Sequence, residues 1–133
     1  MAIFKIQYDN HDRNVWSATS NLRIALARII TSFPECYYAE IEDSTHDVFV
    51  TAVESCRTCA PNTPIEVLTF NSSTSPSPSY YEVYNSAFAN ALYDLMIPEV
   101  IFVKVFYPIP ATTKMIEITM CSYNRHVYEE EGV

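Results

Sequence analysis

Three groups of residues in this 133-residue chain have types and spacings that could do chemistry. The first is Cys56-Arg57-Thr58-Cys59, a single CxxC with Cys36 and His46 upstream of it and Cys121 far downstream. Zinc takes four ligands, and two such pairs are the usual signature. A hairpin of residues 36–42 and 47–55, turning near residue 45, would put His46 at its tip, far from the cysteines. That leaves Cys36, Cys56 and Cys59 as metal candidates, one ligand short of a site unless Cys121 or His11 joins them. A redox CxxC opens a helix, whereas Ala60-Pro61-Asn62-Thr63-Pro64 follows here and reads as loop. The plain expectation is four thiols that pack as small apolar groups, with no cofactor.

The second group is the polar run Asp9-Asn10-His11-Asp12-Arg13-Asn14. An aspartate can orient a histidine as a general base, so Asp9, His11 and Asp12, with Arg13 beside them, form the candidate polar site of a small-ligand binder or enzyme. The same residues also suit a solvated turn. The third group is Glu40 and Glu42, two residues apart on one strand face. Their separation of about 7 Å is within reach of glycosidase geometry, but solvent-facing strands show such pairs routinely.

Charge and aromatic content point toward recognition instead. Lys and Arg number 8 against 16 Asp and Glu, for a net charge of −8. Nucleic-acid binders neutralise phosphate with Lys and Arg, so nucleic acid and anionic lipid are disfavoured as partners. No cation lies between Arg28 and Arg57, a stretch holding Glu35, Glu40, Glu42, Asp43, Asp47 and Glu54. This is either a solvated face or an acidic patch for a basic partner. Ten tyrosines are present, too many for all to face a core, and tyrosine is favoured in protein interfaces. The expected partner-binding set is Tyr38, Glu40, Glu42, Asp43, Asp47, Tyr80, Tyr81 and Tyr93.

The one glycine is Gly132. Phosphate loops, dinucleotide fingerprints and nucleophile elbows all need glycine where the backbone turns sharply or approaches a ligand. Those chemistries are therefore excluded. Turns that require positive φ are expected to use Asn or Asp.

The elements that must position these residues follow from periodicity. Ile3 to Tyr8 alternates as a strand, and Asp9 to Trp16 reads as a loop. A helix carries Leu22, Ala25, Leu26, Ile29, Ile30 and Phe33 on one side and stops at Pro34. The hairpin comes next. Ile65 to Phe70 then starts a second strand, and Asn71 to Pro78 reads as a loop. Ser79-Tyr80-Tyr81-Glu82 has the form of a capping box before a helix with Tyr84, Phe88, Ala91, Leu92 and Leu95 on one face. Pro98 ends that helix. Residues 99–107, very apolar, and 114–123 complete a second hairpin.

The halves align, Ile3–Tyr8 with Ile65–Phe70 and Phe33–Tyr38 with Ile97–Phe102. This implies two βαββ units, residues 1–60 and 61–124, before an acidic tail of residues 125–133. The expected fold is one α+β domain: a two-layer sandwich of about six mainly antiparallel strands with both helices on one face. A ferredoxin-like βαββαβ order with extra strands is the alternative. The tandem order resembles the glyoxalase/bleomycin-resistance class, which doubles a βαβββ unit. Each half here reads one strand shorter and lacks a His/Glu metal set on its strands, so that activity is not carried over.

The N-terminus alternates rather than forming the apolar core of a signal peptide, and no run approaches the ~18 apolar residues of a membrane span. A cytoplasmic setting is expected. The functional expectation is a non-enzymatic interaction module, an acidic inhibitor or adaptor of a macromolecular complex, such as a viral or phage accessory protein acting on a host target. Its partner would be a protein with a basic surface, and a homodimer is also compatible. The alternatives are a small-ligand binder or enzyme at the Asp9–Asn14 loop and a zinc-stapled module.

Overall fold

A computed structural model describes residues 2–8, 13–19, 22–33, 35–43, 45–72 and 75–122, the first two stretches through their backbone. The elements are β1 (Ala2–Tyr8), β2 (Arg13–Thr19), α1 (Leu22–Ser32), β3 (Cys36–Asp43), β4 (Val48–Thr58), β5 (Ile65–Asn71), β6 (Ser77–Tyr81), α2 (Tyr84–Leu95), β7 (Val100–Pro108) and β8 (Lys114–Ser122). All the strands join one eight-stranded sheet in the order β2-β1-β3-β4-β8-β7-β5-β6. Every neighbouring pair is antiparallel.

Strand alternation separates two faces. Ala39, Ile41, Val50, Ala52, Val103, Val105, Ile118 and Met120 are fully buried on one of them. The apolar stripes of α1 and α2 cover that face, so Leu26, Ile29, Phe88 and Ala91 belong to the same core cluster. Burying a side chain such as Phe88 or Leu26 contributes about 1.5–3 kcal/mol. The Tyr84 hydroxyl on α2 donates to the Arg23 carbonyl of α1 at 3.0 Å and ties the two helices together. The result is the two-layer α+β sandwich with both helices on one side. No helix among the described residues is long and apolar enough to cross a membrane.

Each unit carries one strand more than the sequence reading gave it, so the repeat is ββαββ. Arg13–Thr19, read in part as loop, is β2 and pairs with β1. Ser79, Tyr80 and Tyr81 do not cap α2. They belong to β6 and pair with Val67, Glu66 and Ile65. The N-cap of α2 is Val83, which makes no side-chain capping bond. Adjacent tyrosines favour the half-buried pleated surface of a strand. Pro78 is tolerated because β6 lies at the edge of the sheet.

The two units are related by a pseudo-two-fold axis between β4 and β8. A register shift between Gln7 and Tyr8 in the β1–β3 pairing recurs between Phe70 and Asn71 in the β5–β7 pairing. Tyr8 opposes Cys36 and Asn71 opposes Val100. The structural match of Tyr8 is therefore Asn71, one residue on from the Phe70 suggested by comparing sequences. That one-residue correction exchanges the two faces of the strand. Ile41 opposes Val50 and Val105 opposes Ile118, which matches Val50 to Ile118 and Thr51 to Thr119. Thr51 and Thr119 also pair with each other, so they sit at the pseudo-axis.

Candidate functional site

Among the described residues, no helix lies against the second face of the sheet. Its residues alternate with the core residues, and the pairings place them in rows across the strands. One row runs Glu42, Phe49, Cys121, Phe102, Phe70. The next runs Glu40, Thr51, Thr119, Lys104, Leu68, and the third runs Tyr38, Val53, Glu117, Phe106, Glu66, Tyr80. An antiparallel sheet covered on one side ordinarily turns polar residues outward. Here aromatic and aliphatic side chains occupy the middle of the open face.

These apolar groups pack on one another. The rings of Phe70 and Phe102 stack with centroids 4.3 Å apart and planes inclined by 22°. Phe106 is buried beneath the Arg57 guanidinium, whose carbon lies 4.2 Å from the ring centroid. A cation over an aromatic face is attracted by the ring quadrupole. Arg57 also meets Glu66 Oε1 at 2.9 Å, and Lys104 Nζ meets Glu117 Oε2 at 2.9 Å. Arg57 and Lys104 are thus already engaged with carboxylates, and β1 sets Lys5 in register with Glu40. Glu40 and Glu42 lie on β3, where the Tyr38 hydroxyl donates to Glu40 Oε2 at 2.6 Å. Burial, then the Glu40 acceptor and the Glu40 and Glu42 charges, hold the Tyr38 hydroxyl protonated well above the ordinary phenol range.

The expected partner-binding residues do not form one patch. Tyr38, Glu40 and Glu42 share the open face with Tyr80, which is 61% exposed. Tyr81 packs against the core on the helix side. Tyr93 projects from α2 in the other layer, 69% exposed. Asp47 is exposed in the β3–β4 turn with φ 55°. Asp43 is fully buried and cannot present its carboxylate to a partner. Its Oδ1 accepts the His46 backbone N–H at 3.2 Å, and its Oδ2 lies 2.6 Å from His46 Nδ1.

Of the other candidates, Asp9, His11 and Asp12 lie outside the described residues, and Arg13 begins β2 opposite Tyr8. Cys36 is buried in the core, Cys56 is exposed, and Cys59 lies in the loop after β4. The Cys59 backbone N–H donates to the Thr113 carbonyl at 2.9 Å. Among the described residues no three His, Cys, Asp or Glu side chains converge as a metal site.

The open-face phenylalanines were missed in the sequence. Their signal was present: Leu68 and Phe70, like Phe102, Lys104 and Phe106, alternate with residues assigned to the core. Compared with protein-family models, characterised proteins and solved structures, the chain matches none of them.

Proposed function

We propose that the protein is a non-enzymatic interaction module that docks through its open sheet face onto a partner protein with an apolar centre and a basic rim. Such a module acts as an inhibitor or adaptor of the assembly to which its partner belongs. The observation that carries this reading is the one-sided helix layer. It leaves Leu68, Phe70, Phe102 and Val53 among Glu40, Glu42, Glu66 and Glu117 on a broad sheet surface. Interfaces combine an apolar core with a polar rim in this way. Glu40, Glu42, Glu66 and Glu117 outnumber Arg57, Lys104 and Lys5, the last in register with Glu40, and Arg57 and Lys104 each bond to one of these carboxylates. That balance favours a basic partner and disfavours phosphate.

The test places one cation at the middle of the face and one in the other layer. Thr51→Arg lies at the pseudo-axis, whereas Tyr93→Arg lies on α2. Immobilised wild-type protein is expected to retain a partner that dissociates as salt rises, because rim charges are screened. Thr51→Arg should lower the partner's affinity by roughly tenfold or more, about 1.4 kcal/mol, with an unchanged melting temperature. Tyr93→Arg should bind as wild type. Equal binding by Thr51→Arg, or a loss confined to Tyr93→Arg, rules the open face out.

A further inference from the structure

The chain enters β6 through Ser75-Pro76-Ser77-Pro78-Ser79, in which a serine is twice followed directly by a proline. Ser75 and Pro76 precede the strand, and Ser77, Pro78 and Ser79 begin it. All five residues are exposed. β6 is the last strand of the sheet, so its outer side carries no neighbouring strand among the described residues. Among the described residues none of these three serine hydroxyls makes a hydrogen bond, whereas Thr63, Thr69 and Thr112 all commit theirs.

An exposed hydroxyl on an extended segment is what a protein kinase needs from its substrate. The acceptor oxygen must come into line with the γ-phosphate, and catalysis is mostly a matter of that positioning. Proline fixes its own φ and pushes the residue before it into an extended conformation, so the sequence itself keeps both serines extended. Proline also lacks the backbone N–H. A kinase pocket with no acceptor at the position after the serine therefore takes proline without leaving a buried donor unpaired, and refuses other residues.

The two Ser-Pro pairs are not equivalent in the fold. Ser77 is in register with Thr69 on β5, and residues directly opposite in an antiparallel pair share a face. The Thr69 hydroxyl donates to Asp94 Oδ2 on α2 at 2.8 Å. A phosphate on Ser77 would therefore face the Asp94 carboxylate, and like charge disfavours it. Ser77 must also leave its strand partner to enter a kinase cleft. Ser75 lies before the first paired residue of β6 and meets neither obstacle.

We propose that Ser75 is a phosphorylation site for a proline-directed serine kinase, and that the fold selects it over Ser77. The Ser75 hydroxyl oxygen attacks the γ-phosphorus of ATP held with Mg²⁺ in the kinase. The bond from that phosphorus to the bridging oxygen breaks, ADP leaves, and the hydroxyl proton passes to the catalytic aspartate of the kinase. The product places about −1.5 to −2 charge at the β6 edge of the sheet at neutral pH. The site stands whether or not the open face docks a protein.

The full chain and a synthetic peptide of residues 71–82 are each incubated with ATP, Mg²⁺ and a kinase of the cyclin-dependent class. Mass spectrometry of fragments follows the phosphate on each serine with time. The peptide should be labelled at both Ser75 and Ser77. The folded chain should be labelled at Ser75, with Ser77 at least about tenfold slower because its strand must open first. Pro76→Ala should slow labelling of Ser75 at least about tenfold at an unchanged melting temperature, and Ser77→Ala should leave the Ser75 rate as in wild type. The proposal is overturned by any of four results: a peptide left unlabelled at Ser75, a folded chain left unlabelled where the peptide is labelled, equal rates at Ser75 and Ser77 in the folded chain, or an unchanged rate in Pro76→Ala.

Discussion

At the scale of single residues, alternation along β3 was enough to sort its side chains. Ala39 and Ile41 face the helices, so Tyr38, Glu40 and Glu42 face away, as the pairings with Val53, Thr51 and Phe49 require. Asp43 follows the same count and falls on the core side. It was grouped with the surface acids because charge outweighed periodicity in the sequence reading. Burial of that carboxylate is tolerated because His46 supplies two bonds, and a buried acceptor left without them would cost about 1–3 kcal/mol. Tyr84 makes the complementary case for a hydroxyl. Burial pushes its ionisation up to about 12, the Arg23 charge acting against this and Tyr107 adding to it. The folded state therefore holds the phenolic proton more tightly than the unfolded chain, whose tyrosines titrate near pH 10. The resulting stabilisation is complete below about pH 10 and is lost as pH rises toward about 12. Tyr84→Phe removes that group and the bond to Arg23, so it should be less stable than wild type at neutral pH by about 0.5–1.5 kcal/mol. The gap should close between about pH 10 and 12 when urea midpoints are compared. A gap that stays constant across that window would show that Tyr84 ionises alike in both states.

At the scale of elements, long apolar periods were legible and short polar strands were not. Both helices, both hairpins and the Pro98 stop could be read from spacing. The strands β2 and β6 could not, because Ser, Thr, Asn and Pro supply much of their sequence and mask the alternation, although each pairs with the strand just before it. The apparent capping box failed as well. Ser79 and Glu82 have the required types and spacing, but cross-strand pairing of Tyr80 and Tyr81 extends the strand past the position where the cap would form. Scarcity of glycine was legible, and part of its consequence was not. Asp47 and Asn62 take positive φ, as the expectation that Asn or Asp fills such turns requires, and Ala111 takes φ 62° against it. Thr112 holds that turn: its hydroxyl donates to the Ile109 carbonyl at 2.9 Å and accepts the Lys114 N–H at 3.1 Å. An L-residue with a Cβ pays about 1–2 kcal/mol in this region. Glycine avoids that and loses about 0.4–1 kcal/mol through a more flexible unfolded chain. Ala111→Gly should therefore raise stability by about 0.5–1 kcal/mol, read as a higher urea midpoint at unchanged slope. A lower midpoint would mean that the left-handed turn is not populated in solution.

At the scale of the whole molecule, the repeated strand order bears on both the single core and the character of the open face. Two ββαββ units joined through β4 and β8 bury one continuous cluster beneath two helices. The pseudo-axis imposes backbone equivalence but leaves the surface free to diverge. On the core side the matched positions stay apolar: Ile41 with Val105, Val50 with Ile118, Ala52 with Met120. On the open side the same matching sets Glu40 against Lys104 and Tyr38 against Phe102. One half of the face carries Glu40 and Glu42, with Lys5 in register with Glu40, and the other carries Phe70, Phe102 and Phe106 with Lys104 bonded to Glu117. A partner that docks here meets an asymmetric surface, and its basic rim belongs over β3. Neutralising the two matched positions separates the halves. Glu40→Gln should weaken binding of a basic partner and flatten its dependence on salt, since one screened attraction is gone. Lys104→Gln removes a repulsion and should leave affinity equal to wild type or higher. Both are read as Kd at low and high ionic strength on variants with unchanged melting temperature. The reverse order, a larger loss for Lys104→Gln than for Glu40→Gln, would place the negative charge on the partner and overturn the proposed polarity of the interface.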